Sequence, residues 1–414
     1  MRKKLIYFVL IFACIINNFN VRYADDILDE DYQVYDIDDI IETSARADEE
    51  CLILNSRIAM AFDRKSNKVI WGKDENKRTA MASTTKIMTS IIVAEQSNLD
   101  DIVEISSKAG GTGGSRLGLK KGDKVSMKDL LYGLMLKSGN DAAVAIAEHI
   151  AGNVNSFAEL MNLKAEQLGL QNTHFITPHG LDDPDHYTTA YELAKITDYA
   201  LENKIIAKVV ATKYYTVNIN GYPKDISNTN ELLGNLEGVN GVKTGFTNNA
   251  GRCLVTSVDR NGFNIITIVL QADTKKDRTK DSIKLIEYIY KYYQEVNVKD
   301  IVEKEFKNWC YVNKKRININ KAKNLNIEIN FNDLQNDIIV VKKEDIYNIK
   351  IDINVIYELE APVLKNTIIG SLKVKVKDNI IDVEDVYVVD DVNKKDVWDY
   401  FFECICALGS LERY

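Results

Sequence analysis

The run Ala80-Met81-Ala82-Ser83-Thr84-Thr85-Lys86-Ile87-Met88-Thr89 decides how the rest of the chain is read. It opens as a polar, capping-type stretch. It continues into Ile87, Met88, Ile91, Ile92 and Val93, whose spacing predicts a mostly buried helix. Ser83 and Lys86 lie three residues apart, so a helical backbone alone holds a hydroxyl and an amine on one face. A serine hydroxyl is a poor nucleophile at neutral pH unless a neighbouring base takes its proton. A lysine can be that base where burial and nearby cations disfavour its charged form. Free N–H groups at a helix start also favour developing negative charge. Taken alone, Ser-x-x-Lys is common and reads first as a helix cap followed by a solvated lysine.

Working outward, residues 56–63 and 68–72 read as two strands around a turn at 64–67, and 103–105 as a short strand. The glycine-rich run 110–115 opens no helix with Gly-Lys-Ser/Thr, so it is a flexible loop and not a phosphate site. Residues 125–137 predict a helix capped by Ser126, with Leu130, Leu131, Leu134 and Met135 as its apolar stripe. It ends in Ser138-Gly139-Asn140-Asp141, and 142–151 predicts another apolar helix. A hydroxyl and a carboxamide thus fall at a helix junction, which is either a cleft-facing site or an ordinary connection. Residues 157–168 predict a helix stopped by Gly169. The loop 172–189 holds His174, His179 and His186 with Asp182, Asp183 and Asp185. Their spacing is irregular for metal ligands, so polar packing of the loop is expected and no metal. Residues 191–202 predict a helix. Lys243-Thr244-Gly245 then opens a run of strands at 254–258 and 264–270. Such a strand offers a cation, a hydroxyl and a glycine that a ligand can approach closely. A helix over 281–293 closes the segment, with Arg278 just ahead of it.

Ser83-x-x-Lys86, Ser138-Gly139-Asn140 and Lys243-Thr244-Gly245 occur in that order. Each is a weak motif, but the ordered set resembles the signature of class A β-lactamases and penicillin-binding proteins. Residues 82–89, 136–147, 168–181 and 241–254 look most like the low-molecular-mass penicillin-binding proteins that are D-alanyl-D-alanine carboxypeptidases. The likeness covers residues 52–293 and continues more weakly to the C-terminal domain. It implies an α/β (α+β) penicillin-recognising, β-lactamase-like catalytic domain with helices around an antiparallel sheet, followed by a small β-rich domain. It also implies a serine D-Ala-D-Ala carboxypeptidase acting on peptidoglycan stem peptides and inhibited covalently by β-lactams. In that reading Ser83 is the nucleophile, Lys86 the base, and Ser138 a proton shuttle to the leaving amine. Asn140 holds substrate and Lys86, and Lys243 supplies positive potential. The backbone of Ser83 and Phe246 forms the oxyanion hole beside Gly245. Thr244, with Arg278, takes the terminal carboxylate. No metal or organic cofactor is required. The middle motif has Gly139 where β-lactamases usually carry Asp, and no Glu-x-x-Leu-Asn follows it, only Glu192-Leu193-Ala194. A class A-like β-lactamase and a catalytically silent wall-binding protein remain as alternatives.

Composition agrees with an exported, multidomain enzyme. The chain has 414 residues, 45% hydrophobic and 28% charged, and its net charge of −8 argues against a nucleic-acid partner. Met1-Arg2-Lys3-Lys4 followed by an apolar run over 5–16 and Val21-Arg22-Tyr23-Ala24 reads as a signal peptide over 1–24, placing the enzyme outside the cytoplasm. The acidic stretch 25–50 is expected to be a solvated linker. The catalytic domain is expected over 51–295. Cysteines 51, 253, 310, 404 and 406 are scattered and odd in number, which supports neither a disulfide framework nor a zinc site. Alternating stretches between 296 and 390 predict a β-rich domain that carries no chemistry. In 391–414, Val397, Phe401, Cys404, Ile405 and Leu408 form one helical stripe, an expected amphipathic anchor over 396–414 with an unusually acidic polar face.

Overall fold

Every residue of Ile58–Asp63 (β1) is buried, which marks a strand covered on both faces. The computed structural model describes residues 36–45, 52–324 and 326–411. The signal-peptide reading of 1–24, and Cys14 and Cys51, lie outside the described residues. The chain divides into two units between Ile289 and Tyr290, six residues before the boundary expected from sequence.

In the first unit, β1 pairs antiparallel with Lys68–Lys73 (β2) across the expected turn. Ahead of them Ile37–Ala45 (α1) is helical, with Asp38 and Asp39 in its first turn and Ile40 buried. The acidic stretch is therefore not a linker throughout. Acidic side chains suit a helix start, and one apolar face suffices to fix a short helix. Next come Lys86–Gln96 (α2), Ile102–Glu104 (β3), Ser107–Gly110 (α3), Lys124–Ser126 (β4) and Met127–Leu136 (α4). They are followed by Asn140–Ala151 (α5), Val154–Gln167 (α6), Ala190–Glu202 (α7) and Lys204–Val210 (α8). The strands Tyr214–Ile219 (β5) and Tyr222–Ser227 (β6) form a hairpin whose corner, Asn220-Gly221, has positive φ at both residues. That dipeptide is a strong hairpin signal which hydrophobic periodicity alone passes over. Val239–Thr247 (β7), Gly251–Arg260 (β8) and Phe263–Ala272 (β9) complete an antiparallel sheet in the order β2-β1-β9-β8-β7. Lys275–Tyr292 (α9) closes the unit. It begins six residues earlier than expected, so Arg278 sits in its first turn and not ahead of it.

The helix carrying Lys86 is the hub. Residues 86–93 of α2 are all buried, and α2 packs against α4, α5, α6, α7 and α8. A helix with neighbours on every side has no use for an amphipathic pattern. Ile87, Ile91 and Ile92, each at most 1% exposed, contribute about 2 kcal/mol apiece. The small side chains Ala142, Ala143, Ala145 and Ala147 let α5 come close to this packing.

The second unit is β-rich as expected. It holds Tyr293–Asn297 (β10), Asn318–Asn320 (β11), Ile329–Phe331 (β12), Ile338–Lys342 (β13) and Ile349–Val355 (β14). Glu358–Glu360 (β15), Ile368–Val376 (β16) and Asn379–Val388 (β17) follow. Its main sheet runs β12-β17-β16-β14 and closes over a core that includes Leu372, Val374, Val386 and Val388. One element was not expected, the helix Val298–Asn313 (α10), whose Val298, Val302 and Phe306 enter that core at four-residue spacing. Val397–Leu411 (α11) is the last element, with Val397, Trp398, Phe401, Phe402 and Ile405 exposed.

Candidate active site

Ser83 lies in a 3-10 turn, Ala82–Thr85, that runs directly into α2. In such a turn residues three apart eclipse one another, so the expected face-sharing is tighter than in an α-helix. Lys86 is fully buried, and its Nζ stands 2.7 Å from Ser83 Oγ, 2.8 Å from Asn140 Oδ1 and 2.9 Å from the His179 carbonyl. The carboxamide oxygen and the carbonyl can only accept. A neutral amine has two N–H groups to give them, and its lone pair then faces the serine hydroxyl. The geometry therefore suits a base poised over its nucleophile.

Two backbone positions here are left-handed although neither is glycine: Ala82 at φ 47° and Ser138 at φ 59°. Each costs on the order of 1 kcal/mol and persists only where surroundings enforce it. Ser138 is 3% exposed, and its Oγ has no partner among the described residues, yet it lines the cleft. Asn140 falls in the first turn of α5 and not in the preceding junction; its Nδ2 donates to the Gly113 carbonyl at 2.9 Å. Asp141 was not singled out from sequence. It is completely buried, and its carboxylate accepts the backbone N–H of Leu117, Gly118 and Leu119 at 2.7–2.9 Å. It fixes the end of the glycine-rich loop beside the site. Its only sequence signal was an acidic residue in a helix first turn.

β7 forms the opposite wall. A Cβ on Gly245 would stand 3.0 Å from the Ser83 nitrogen, so glycine is what lets this strand lie against the catalytic turn. Lys243 is 1% exposed, and Thr244 Oγ1 meets Thr229 Oγ1 at 2.7 Å. The Phe246 ring lies under the Arg252 guanidinium, 3.7 Å from its centroid. Ser138, Thr244, Gly245, Arg252 and Arg278 all line one cleft of about 440 Å³. The structure thus brings Arg278 to the site, but it is 4% exposed rather than solvated, and Nη2 donates to Glu231 at 2.9 Å.

The histidine loop supports the catalytic turn by polar packing. The His186 Nδ1 accepts from the Ile176 N–H at 2.9 Å, which leaves Nε2 as the donor to Thr85 Oγ1 at 2.8 Å, while Thr85 itself donates to the Ala82 carbonyl. Burial and the neighbouring Lys86 push the His179 pKa down to about 3; burial, aided by His174 and Lys86 and opposed by Asp183, pushes His186 down to about 4. Both are neutral at pH 7. Gly180, with φ +86°, comes so close to the Ala82 carbonyl that a Cβ there would overlap it. Glu192 cannot serve as a deacylation base. Its carboxylate accepts the Gln171 and Asn172 N–H groups at 2.9 Å and the Thr173 hydroxyl, and its own N–H is capped by Thr189.

A buried Ser–Lys pair bonded to Asn140 and laid against the glycine of a Lys-Thr-Gly strand, with a second serine lining the same cleft as that glycine, defines a serine acyl-transfer centre. A family model described as D-alanyl-D-alanine carboxypeptidase matches residues 43–274, more than half of the chain, and one for the penicillin-binding protein 5 C-terminal domain matches 313–394. D-alanyl-D-alanine carboxypeptidase DacF of Bacillus subtilis is 32% identical, over 82% of this chain and 86% of its own length. The crystal structure of D-alanyl-D-alanine carboxypeptidase DacD from Francisella tularensis superposes with a TM-score of 0.70 at 27% identity, covering 84% of this chain and 98% of that one. That of the Streptomyces K15 DD-transpeptidase gives 0.56 at 35% identity, covering 58% and 98%. The chain belongs to the D-alanyl-D-alanine carboxypeptidase family of serine peptidases.

Proposed function

We propose that this enzyme removes the terminal D-Ala from peptidoglycan stem peptides through an acyl-enzyme on Ser83. The observation that carries the reading is the 2.7 Å approach of Lys86 Nζ to Ser83 Oγ on a turn that lies against Gly245, which itself lines the cleft with Ser138 and Thr244. Lys86, completely buried, accepts the Ser83 proton as Oγ attacks the carbonyl of the penultimate D-Ala. The N–H groups of Ser83 and Phe246 hold the oxyanion; each such donor is worth about 3 kcal/mol in the transition state. Ser138, whose hydroxyl has no partner among the described residues, passes a proton to the departing D-Ala amine. Lys243 adds positive potential, and Thr244 with Arg278 receives the terminal carboxylate. Water then releases the shortened peptide. Glu192, committed to Gln171, Asn172 and Thr173, is not a free carboxylate of the β-lactamase kind to speed deacylation, so β-lactams inhibit by lingering on Ser83. Incubation with a D-Ala-D-Ala-terminated peptide is expected to liberate free D-Ala. No release, or penicillin turnover faster than D-Ala release, overturns the reading in favour of the wall-binding or β-lactamase alternative.

Export through residues 1–24 and peripheral contact with the outer face of the cytoplasmic membrane through residues 396–414 complete the proposal. Among the described residues no helix is long and apolar enough to cross a membrane. The exposed Trp398, Phe401, Phe402 and Ile405 support an interfacial role for α11. Flotation with vesicles of zwitterionic lipid is expected for the chain and lost on deleting 396–414; identical behaviour of the two removes the anchor.

A further inference from the structure

Arg278 meets the cleft with its carboxylate-binding edge already taken. A planar guanidinium has two edges on which a carboxylate can rest bidentately, Nε–Nη2 and Nη1–Nη2, and both need Nη2. Here Nη2 donates to Glu231 Oε1 at 2.9 Å and to Thr279 Oγ1 at 3.2 Å. Nε is buried with no partner among the described residues. Glu231 Oε2 also lies 3.2 Å from Lys275 Nζ, and Thr279 Oγ1 donates to Glu231. Glu231 itself lines the cleft together with Ser138 and Thr244. It is held there by its loop. Thr229 touches the Thr244 hydroxyl, and Asn230 Nδ2 donates to the Gly241 carbonyl on β7 at 3.0 Å.

From this geometry we infer that Glu231 is a specificity-determining residue, an internal carboxylate that competes with the substrate's terminal carboxylate for Arg278. The inference rests on Arg278 being the terminal-carboxylate subsite. An incoming carboxylate gains the second donor of its fork, Nη2, only as Glu231 turns away toward Lys275. Binding of carboxylate-terminated peptides is thereby weakened, while the acyl-transfer centre at Ser83 and Lys86 is untouched. A peptide ending in the methyl ester of D-Ala has neither the charge nor an N–H at its end, makes no such exchange and is blind to Glu231.

The test is steady-state kinetics of the full chain and of Glu231→Gln, which keeps the side-chain shape and removes its charge, with Arg278→Gln as the reference. Glu231→Gln is expected to lower KM for a D-Ala-D-Ala peptide about tenfold with kcat little changed, the size of one charge-assisted hydrogen bond. It should leave kcat/KM for the D-Ala methyl ester peptide unchanged, while Arg278→Gln raises KM for the carboxylate substrate. If Arg278→Gln raises KM but Glu231→Gln leaves it unchanged or raises it too, Glu231 only buttresses the arginine and the inference is overturned while the subsite stands. If Arg278→Gln leaves KM unchanged, the subsite itself is wrong and the inference falls with it.

Discussion

The two units handle charge in opposite ways. In the first, Lys86, Lys243, Asp141, Arg252 and Arg278 are at most 6% exposed, and most of their recorded partners are backbone groups, a carboxamide or a ring. In the second, ion pairs such as Lys321–Glu360 keep 51% and 64% of their side chains in water. Removing charges from water is costly, and a fold accepts that cost only where packing holds each group to a fixed partner. Exposed pairs gain little and are screened. The division is one of degree: the first unit also has exposed pairs such as Arg57–Asp273 and buried carboxylates such as Asp63 and Asp281 that hold Ser66 and Ser56, but the buried cations Lys86, Lys243, Arg252 and Arg278 all belong to it.

Several substitutions can break or sharpen this contrast. Ser83→Ala should lower D-Ala release on the order of 10⁴-fold or more while the thermal midpoint moves by only about 3 °C; a large loss of stability would make Ser83 a structural residue. Asp141→Asn turns an acceptor of three loop N–H groups into a side chain that can accept only half as well, and should cost about 3 kcal/mol in denaturant unfolding. Glu360→Gln, which disarms an exposed pair, should leave the thermal midpoint where it is. Equal effects from the two would abolish the distinction between the units. Gly245→Ala pushes β7 off the Ser83 turn and should lower kcat/KM about tenfold to a hundredfold with little loss of stability.

A further effect concerns pH. The folded pKa of His186, about 4, lies below its ordinary value of 6.5, so between those values the unfolded chain binds the proton and the folded chain does not. Stability is thus complete above about pH 7.5 and falls as the pH drops toward 4, by roughly 3 kcal/mol from this group. His186→Gln should flatten that slope in pH-dependent thermal melts. An unchanged slope would show that His186 is not neutral between Thr85 and Ile176.

How much of this was legible in the sequence follows the same division. Ser83, Lys86, Ser138, Asn140, Lys243 and Thr244 could be singled out as candidates because each motif is local and the three occur in a set order. The helix and strand periods that carry them also matched their observed elements closely. Residues that act across the fold left no such trace. Asp141 works through N–H groups more than twenty residues away, His186 through Thr85, and Glu231 through Arg278. Periodicity also missed α8 and α10, the first too short to show a full apolar stripe. Arg278 was found but placed outside its helix, because the apolar pattern of α9 begins after its polar first turn.

The central claim is that Lys86 makes the Ser83 hydroxyl the acylated atom. Peptide mapping by mass spectrometry after incubation with benzylpenicillin tests it most directly. The account predicts a single penicilloyl adduct on the peptide that contains Ser83. An adduct on any other residue, Ser138 included, or none on a chain that still releases D-Ala, would contradict it.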